Sequence, residues 1–172
     1  MGILHQESCQ NRKPIGMPAP YGPSAVKSFQ RMPNKRLTPA LLAAYYRTHY
    51  SAPHPCRPMR LGRQYVLPPD AVGTAFYWLT AWNPYSQVYP AQLNRHRNRR
   101  LVAWLNRQGC NPTSALAEGW PDAQGRRWPP EPGYWVQGLN RQQIKRLLRL
   151  HGQWAGLELS PRGRLRLLRA RC

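Results

Sequence analysis

Acidic side chains are what this sequence has least of: 6 Asp and Glu stand against 26 Lys and Arg in 172 residues, a formal net charge of +20. The four cysteines, Cys9, Cys56, Cys110 and Cys172, contain no Cys-x-x-Cys pair. That spacing excludes a zinc knuckle or a thioredoxin-like site and reads as free thiols in a reducing compartment. His49, His54 and Cys56 come near a ligand set, but a fourth ligand is missing and Pro53 and Pro55 stiffen the segment between them, so neither a metal nor another cofactor is expected. No run of about 18 apolar residues exists, which excludes a membrane helix, and Met1 to Glu7 lack the basic start and apolar stretch of a secretory signal. These absences point to a cytoplasmic protein with no membrane partner. Gly-x-Gly-x-x-Gly, Gly-x-x-x-x-Gly-Lys-Ser/Thr and Gly-x-Ser-x-Gly are all missing, which sets aside P-loop hydrolysis and the serine-hydrolase elbow. Glycine every third residue, long heptad runs and internal repeats are missing too.

What is abundant is arginine. Lys occurs only at positions 13, 27, 35 and 145, so 22 of the 26 basic residues are Arg. Residues 1–70 hold 10 basic and 2 acidic side chains, +8, and residues 71–172 hold 16 and 4, +12. The charge is therefore not confined to a detachable end. Such a balance attracts polyanions, RNA or DNA foremost. A GC-rich coding bias that drifts solvated positions toward Arg accounts for the same composition.

Eleven of the 19 Pro lie in residues 1–70, whereas all seven Trp lie between Trp78 and Trp154. This contrast divides the chain into a flexible, basic, Pro-rich N-terminal tail, residues 1–36, and a single α+β domain, residues 37–172. A helix is expected from Thr38, with Pro39 at its first position and Leu42, Tyr45, Tyr46 and His49 on one face, closed by Pro53. A short strand at Gln64–Leu67 and a doubly covered strand over Thr74–Trp82 follow, the second stopped by Asn83-Pro84. Then comes a helix from Pro90 to Gln108 capped by Gly109, with Leu93, Leu101, Trp104 and Leu105 inward and Arg95, Arg99, Arg100 and Arg107 outward. Strands are expected at Ser114–Trp120 and Tyr134–Leu139, around a loop from Pro121 to Gly133. Asn140 and Gln143 form a capping box on a last helix, whose stripe of Ile144, Leu147, Leu148 and His151 is buried. Trp154–Leu159 and Arg164–Arg169 make a hairpin, Leu157 and Leu159 matching Leu165 and Leu167. The order implies a small, largely antiparallel sheet with about three helices on one face.

The scarcity of acids makes them easy to weigh. Glu118, Asp122 and Glu131 are the ones that could supply a carboxylate pair, and Glu131, in Trp128-Pro-Pro-Glu-Pro-Gly, is held extended by Pro132 and stiffened by its neighbours. It can serve as a proton acceptor or a ligand contact; the structural alternative is an Arg partner. Asn83 lies just past a strand end, where open sheets place ligands, or else it bonds backbone in an Asn-Pro turn. Asn94 and Gln153 face the same choice. For nucleic acid, the candidate contacts are Arg95, Arg99, Arg126, Arg127, Arg141, Lys145 and Arg149 on helix faces and beside Trp128. No residue is assigned a catalytic role.

Ala44-Tyr45 with Thr48 and Tyr50, Thr80-Ala-Trp-Asn-Pro84, Asn94, Leu101 and Leu105 with Gly109, Trp128-Pro-Pro-Glu-Pro132, Gly138-Leu139 and His151-Gly-Gln153 follow in order. This set resembles an uncharacterised bacterial family, the domain of unknown function 3293, from about Thr38 to Arg169. The resemblance implies a compact bacterial cytoplasmic domain and brings no activity with it. The chain departs from the family in its excess of Arg and its long N-terminal tail. The sequence thus leads to a non-enzymatic polyanion-binding protein that uses Arg-rich helix faces. The alternatives are a small-molecule site or enzyme built on Asn83, Asn94, Glu131 and Gln153, and a protein-interaction domain without catalysis.

Overall fold

Strand alternation at Phe76–Leu79 sets the architecture, because side chains there point to opposite faces and all four are buried. The computed structural model describes residues 37–51 and 58–170. Their elements are α1 (Pro39–Arg47), β1 (Thr48–Tyr50), β2 (Phe76–Leu79), α2 (Ala91–Arg107), β3 (Thr113–Gly119), β4 (Glu131–Val136), α3 (Arg141–Leu150), β5 (Ala155–Leu159) and β6 (Leu165–Arg169), with short 3-10 turns at Pro69–Ala71 and Pro84–Ser86. The six strands form one sheet in the order β1-β3-β4-β2-β5-β6, every pairing antiparallel. The fold is α+β. The 1–36 tail, Cys9, His54, Cys56 and Cys172 lie outside the described residues, within which Cys110 is a buried free thiol.

Tyr77 and Leu79 face a core with Leu101 and Leu105 of α2 and Ile144, Leu147 and Leu148 of α3. Phe76 and Trp78 face a second core with Tyr50, Met59, Trp135, Leu157 and Leu165, against which Tyr45 of α1 packs. The helices therefore do not share one face: α2 and α3 cover one side, and α1 lies with the core on the other. The sheet curls around that second core, and its two edges are joined by one connecting segment. Met59 exchanges both backbone hydrogen bonds with Tyr50 at 2.7 and 2.9 Å, and a few residues on Gly62 and Arg63 bond Leu165 at 3.0 Å. An uncovered strand edge is a template for unwanted pairing, and this segment covers part of each edge. The strand expected at Gln64–Leu67 is reduced to a single bridge, Gln64 to Arg164, because the segment is used to span edges rather than to lie along one.

Local chemistry explains most boundaries. The Thr38 hydroxyl accepts from Leu41 N at 3.2 Å with Pro39 behind it. The first helix was expected to carry His49 on its face, but it ends at Arg47. Thr48 turns extended, donates its hydroxyl to Ala44 O at 2.8 Å, and begins three residues of pairing with β3. A β-branched residue followed by aromatics fits a ladder better than another helical turn. His49 then stacks on Trp120, ring centroids 5.1 Å apart. Strand β4 starts at Glu131, upstream of the expected Tyr134, although it contains Pro132. Pairing with β2 begins only at Tyr134, so Pro132 sits where β4 has a single neighbour and no donor is lost. Asn140 and Gln143 form the reciprocal capping box on α3, and the final hairpin pairs Leu157 with Leu167 and Leu159 with Leu165. Asn140→Ala is predicted to lower stability by about 1 kcal/mol, a fall of roughly 3–5 °C in Tm by thermal circular dichroism; no measurable fall would show that the box contributes nothing.

Candidate functional site

At one end of the curled sheet, Asn83, Glu131 and Gln153 line a cavity of about 50 Å³ together with Tyr45, Thr48, Tyr50, Trp78, Ser86 and Trp128. Asn94 stands directly behind Asn83. Its Oδ1 accepts from Asn83 N at 3.0 Å, and its Nδ2 donates to Asn83 Oδ1 at 2.8 Å and to Tyr89 O at 3.1 Å. Asn83 Nδ2 donates in turn to Glu131 Oε1 at 2.8 Å, and Trp128 Nε1 donates to that same oxygen at 2.7 Å. Gln153 Nε2 is tied to Trp82 O at 2.8 Å. Asn83 and Asn94 thus bond both nearby backbone and each other, so the structural and the ligand-facing readings are two ends of one network.

No guanidinium pairs with Glu131 among the described residues, whose ion pairs are Arg126–Asp122 and Arg141–Glu158. The Arg partner expected for Glu131 is replaced by two neutral donors. The cause is register: Glu131 lies opposite Ala117 in β3, on the face that turns toward the aromatic core. Burial raises its carboxyl to about 7, against the lowering pull of the Trp128 indole and the Asn83 amide. Both donors converge on Oε1. Burial likewise holds the Tyr45 and Tyr50 phenols well above their ordinary range, so both stay protonated. The carboxylate pair conceived from Glu118, Asp122 and Glu131 does not form in this cavity: Glu118 is exposed on β3, Asp122 is bound by Arg126, and neither reaches the lining.

Two backbone features shape the site. Gly133 lies two residues beyond Glu131 on the same face of β4, and a Cβ there would sit 2.5 Å from Trp78 Cζ2 and 2.8 Å from Leu79 O. Glycine lets the Trp78 indole lie against the strand beside Glu131. The Trp78 Nε1 hydrogen is buried with no acceptor among the described residues, an arrangement that costs about 1–3 kcal/mol unless something supplies one. The segment after β2 is strained: Asn83, Tyr85 and Ser86 have φ of 46°, 54° and 57°. Left-handed backbone costs a non-glycine residue roughly 1–2 kcal/mol. It persists because Tyr85 N is held by Gly152 O at 2.7 Å and its ring meets Trp154 edge-on at 5.3 Å.

Sequence reasoning missed Thr80, Asn98 and the role of Trp78. Asn98 Oδ1 accepts from Ala81 N at 2.8 Å, and its Nδ2 donates to Pro132 O at 3.0 Å; Thr80 Oγ1 donates to the same carbonyl at 2.7 Å. These bonds pin the end of β2 to the residue after Glu131. The signal was available: Asn94 and Asn98 are one turn apart and continue the buried face of Leu101 and Leu105. The basic candidates are less uniform than their helical spacing implied. Arg95 and Arg99 are exposed on α2 and Arg127 on the loop. Arg126 is paired with Asp122, and Arg149 Nη1 donates to Ala170 O at 2.9 Å. Lys145 is half-buried on α3. Arg141 makes a two-pronged contact with Glu158 at 2.8 and 2.7 Å.

Among the described residues no helix is long and apolar enough to cross a membrane, and no three His, Cys, Asp or Glu side chains gather as a metal set. The class defined is an α+β domain whose curled antiparallel sheet encloses one carboxylate among aromatic walls. Residues 79–155 match the family described as Protein of unknown function (DUF3293). The match contains Asn83, Asn94, Glu131 and Gln153, while α1 and β1 lie before it. No curated protein and no solved structure matches the chain.

Two outcomes follow. Because the folded-state pKa of Glu131 is raised, the native state binds a proton more tightly than the unfolded chain. Its contribution to stability is full below about pH 4.5 and is lost as pH rises through about 7. His151, lowered by burial and by Arg97 and Arg100, pulls the other way, so the comparison is made between proteins. Glu131→Gln should be more stable than wild type at pH 8, by on the order of a few kcal/mol, and nearly equal at pH 4.5 in urea titrations; a pH-independent difference would contradict the raised carboxyl. Gly133→Ala should destabilise by about 1–3 kcal/mol and alter tryptophan fluorescence through Trp78; an unchanged spectrum would refute the close approach.

Proposed function

We propose that the enclosed cavity is a small-molecule site in which Glu131 is the proton-exchanging group. One observation carries this reading: a carboxyl raised to about 7, bonded only by neutral donors, lies in the same cavity wall as the unsatisfied Trp78 indole. A group titrating near neutral pH supplies both acid and base forms under working conditions. The Glu131 carboxyl, whose two protein donors share Oε1, and the donor left on Trp78 ask for a ligand group that donates and accepts at once. A hydroxyl or a primary carboxamide does so, and about 50 Å³ holds roughly three to five heavy atoms by comparison with the space one water needs. An anion would face the Glu131 carboxylate, while a cation would leave Trp78 unsatisfied and meet the field of a +20 chain. The chemistry this permits is general acid–base transfer: the proton of a bound hydroxyl passes to Glu131 Oε2, and Trp78 N–H steadies the oxygen that loses it.

The test uses the seven indole N–H signals of protein labelled with ¹⁵N in tryptophan, titrated with ethanediol and with acetamide. Selective, saturable shifts of the Trp78 and Trp128 signals are expected, weakened at least tenfold in Glu131→Ala. Shifts spread evenly over all seven indoles, or unaffected by Glu131→Ala, would overturn the proposal.

A further inference from the structure

A second site lies along β6, away from the enclosed carboxylate and independent of its acid–base reading. Two open depressions of about 470 and 520 Å³ flank this strand and share Arg164 and Arg166 on their walls. The first adds Arg169 and Tyr46, and the second adds Arg162 together with Arg141 and Glu158. The only acid in either wall, Glu158, is already committed to Arg141. Arg162, Arg164, Arg166 and Arg169 form no ion pair among the described residues, and Arg164, Arg166 and Arg169 all border the first depression.

Its form favours a polymer over a single small anion. From Arg164 to Arg169 this edge strand extends about 17 Å; Arg164 and Arg166 are same-face neighbours about 7 Å apart, and Arg169 borders the same depression from the other face. Guanidinium groups spaced in this way can fork onto successive phosphates. Tyr46, 51% exposed in the wall of the first depression, offers a ring face on which a base can stack. Positive charge is widespread on this chain, and in the first depression it borders an exposed aromatic ring.

We propose that the β6 trough binds single-stranded nucleic acid through its phosphodiester backbone, with Tyr46 stacking a base. Contacts on the strand edge differ from the helix-face contacts that composition alone suggested.

The test is fluorescence anisotropy of the full chain with a labelled single-stranded oligo-uridine across a range of salt concentrations. Arg164→Gln/Arg166→Gln/Arg169→Gln should weaken binding at least tenfold at low salt. It should also flatten the log–log salt dependence by about 2, three contacts at roughly 0.7 each. Arg95→Gln/Arg99→Gln/Arg100→Gln removes the same charge from α2 and should leave the slope near wild type. Tyr46→Ala should weaken oligo-uridine binding but not heparin binding. Thermal melts establish that each variant is folded, and if the β6 triple is not, the single Arg166→Gln should flatten the slope by about 0.7. Equal losses in the two triple variants, no oligo-uridine binding at low salt, or binding of heparin alone would overturn the proposal.

Discussion

The pair of hydrogen bonds that Asn83 and Trp128 give to one oxygen of Glu131 is the constraint around which this end of the molecule is organised. A carboxylate removed from water is costly, and a cationic partner is the usual remedy. Here, on a chain rich in arginine, the remedy is two neutral donors. They hold the side chain in place without fixing it in the charged form, so burial wins and the acid titrates near neutrality. An arginine in the same position would have anchored the residue more firmly and abolished its capacity to exchange a proton. The distinction between a structural and a chemical carboxyl is made by the charge of its partners.

Holding that geometry takes a large share of the fold. Strand β4 supplies Glu131 and, through Gly133, the groove in which Trp78 lies. The left-handed turn after β2 presents Asn83, and α2 contributes Asn94 and Asn98 from a face that is otherwise apolar. The Asn98 amide and Thr80 hydroxyl both bind the carbonyl of Pro132, tying β2, β4 and α2 together beside the acid. Strained backbone, a buried indole without an acceptor and an uncharged network around one acid each reduce stability. Their coincidence in one small cavity is the ground on which we propose a site there.

Much of this was legible in the sequence where a local rule was sufficient. The capping box at Asn140 and Gln143, the proline-led start at Thr38 and the leucine register of the last hairpin are decided within a few residues. Asn83, Asn94, Glu131 and Gln153 could be singled out because polar groups beside turns and aromatics are few. What the sequence concealed depends on pairing over long distances. Thr48–Tyr50 leaves the helix because β3 receives it, and Pro132 enters a strand because β2 pairs only further on. The missing arginine at Glu131 follows from which face of β4 turns inward, which no local pattern specifies. Helical spacing also overstated the ladder Arg141, Lys145 and Arg149, since Glu158 and the Ala170 carbonyl engage two of its members.

The most direct measurement is the ¹³C carboxyl shift of Glu131 as a function of pH, assigned by comparison with Glu131→Gln. The account predicts a midpoint near 7. A midpoint in the ordinary carboxylate range near 4.5 would contradict it, because the acid would then be either solvated or paired with a cation.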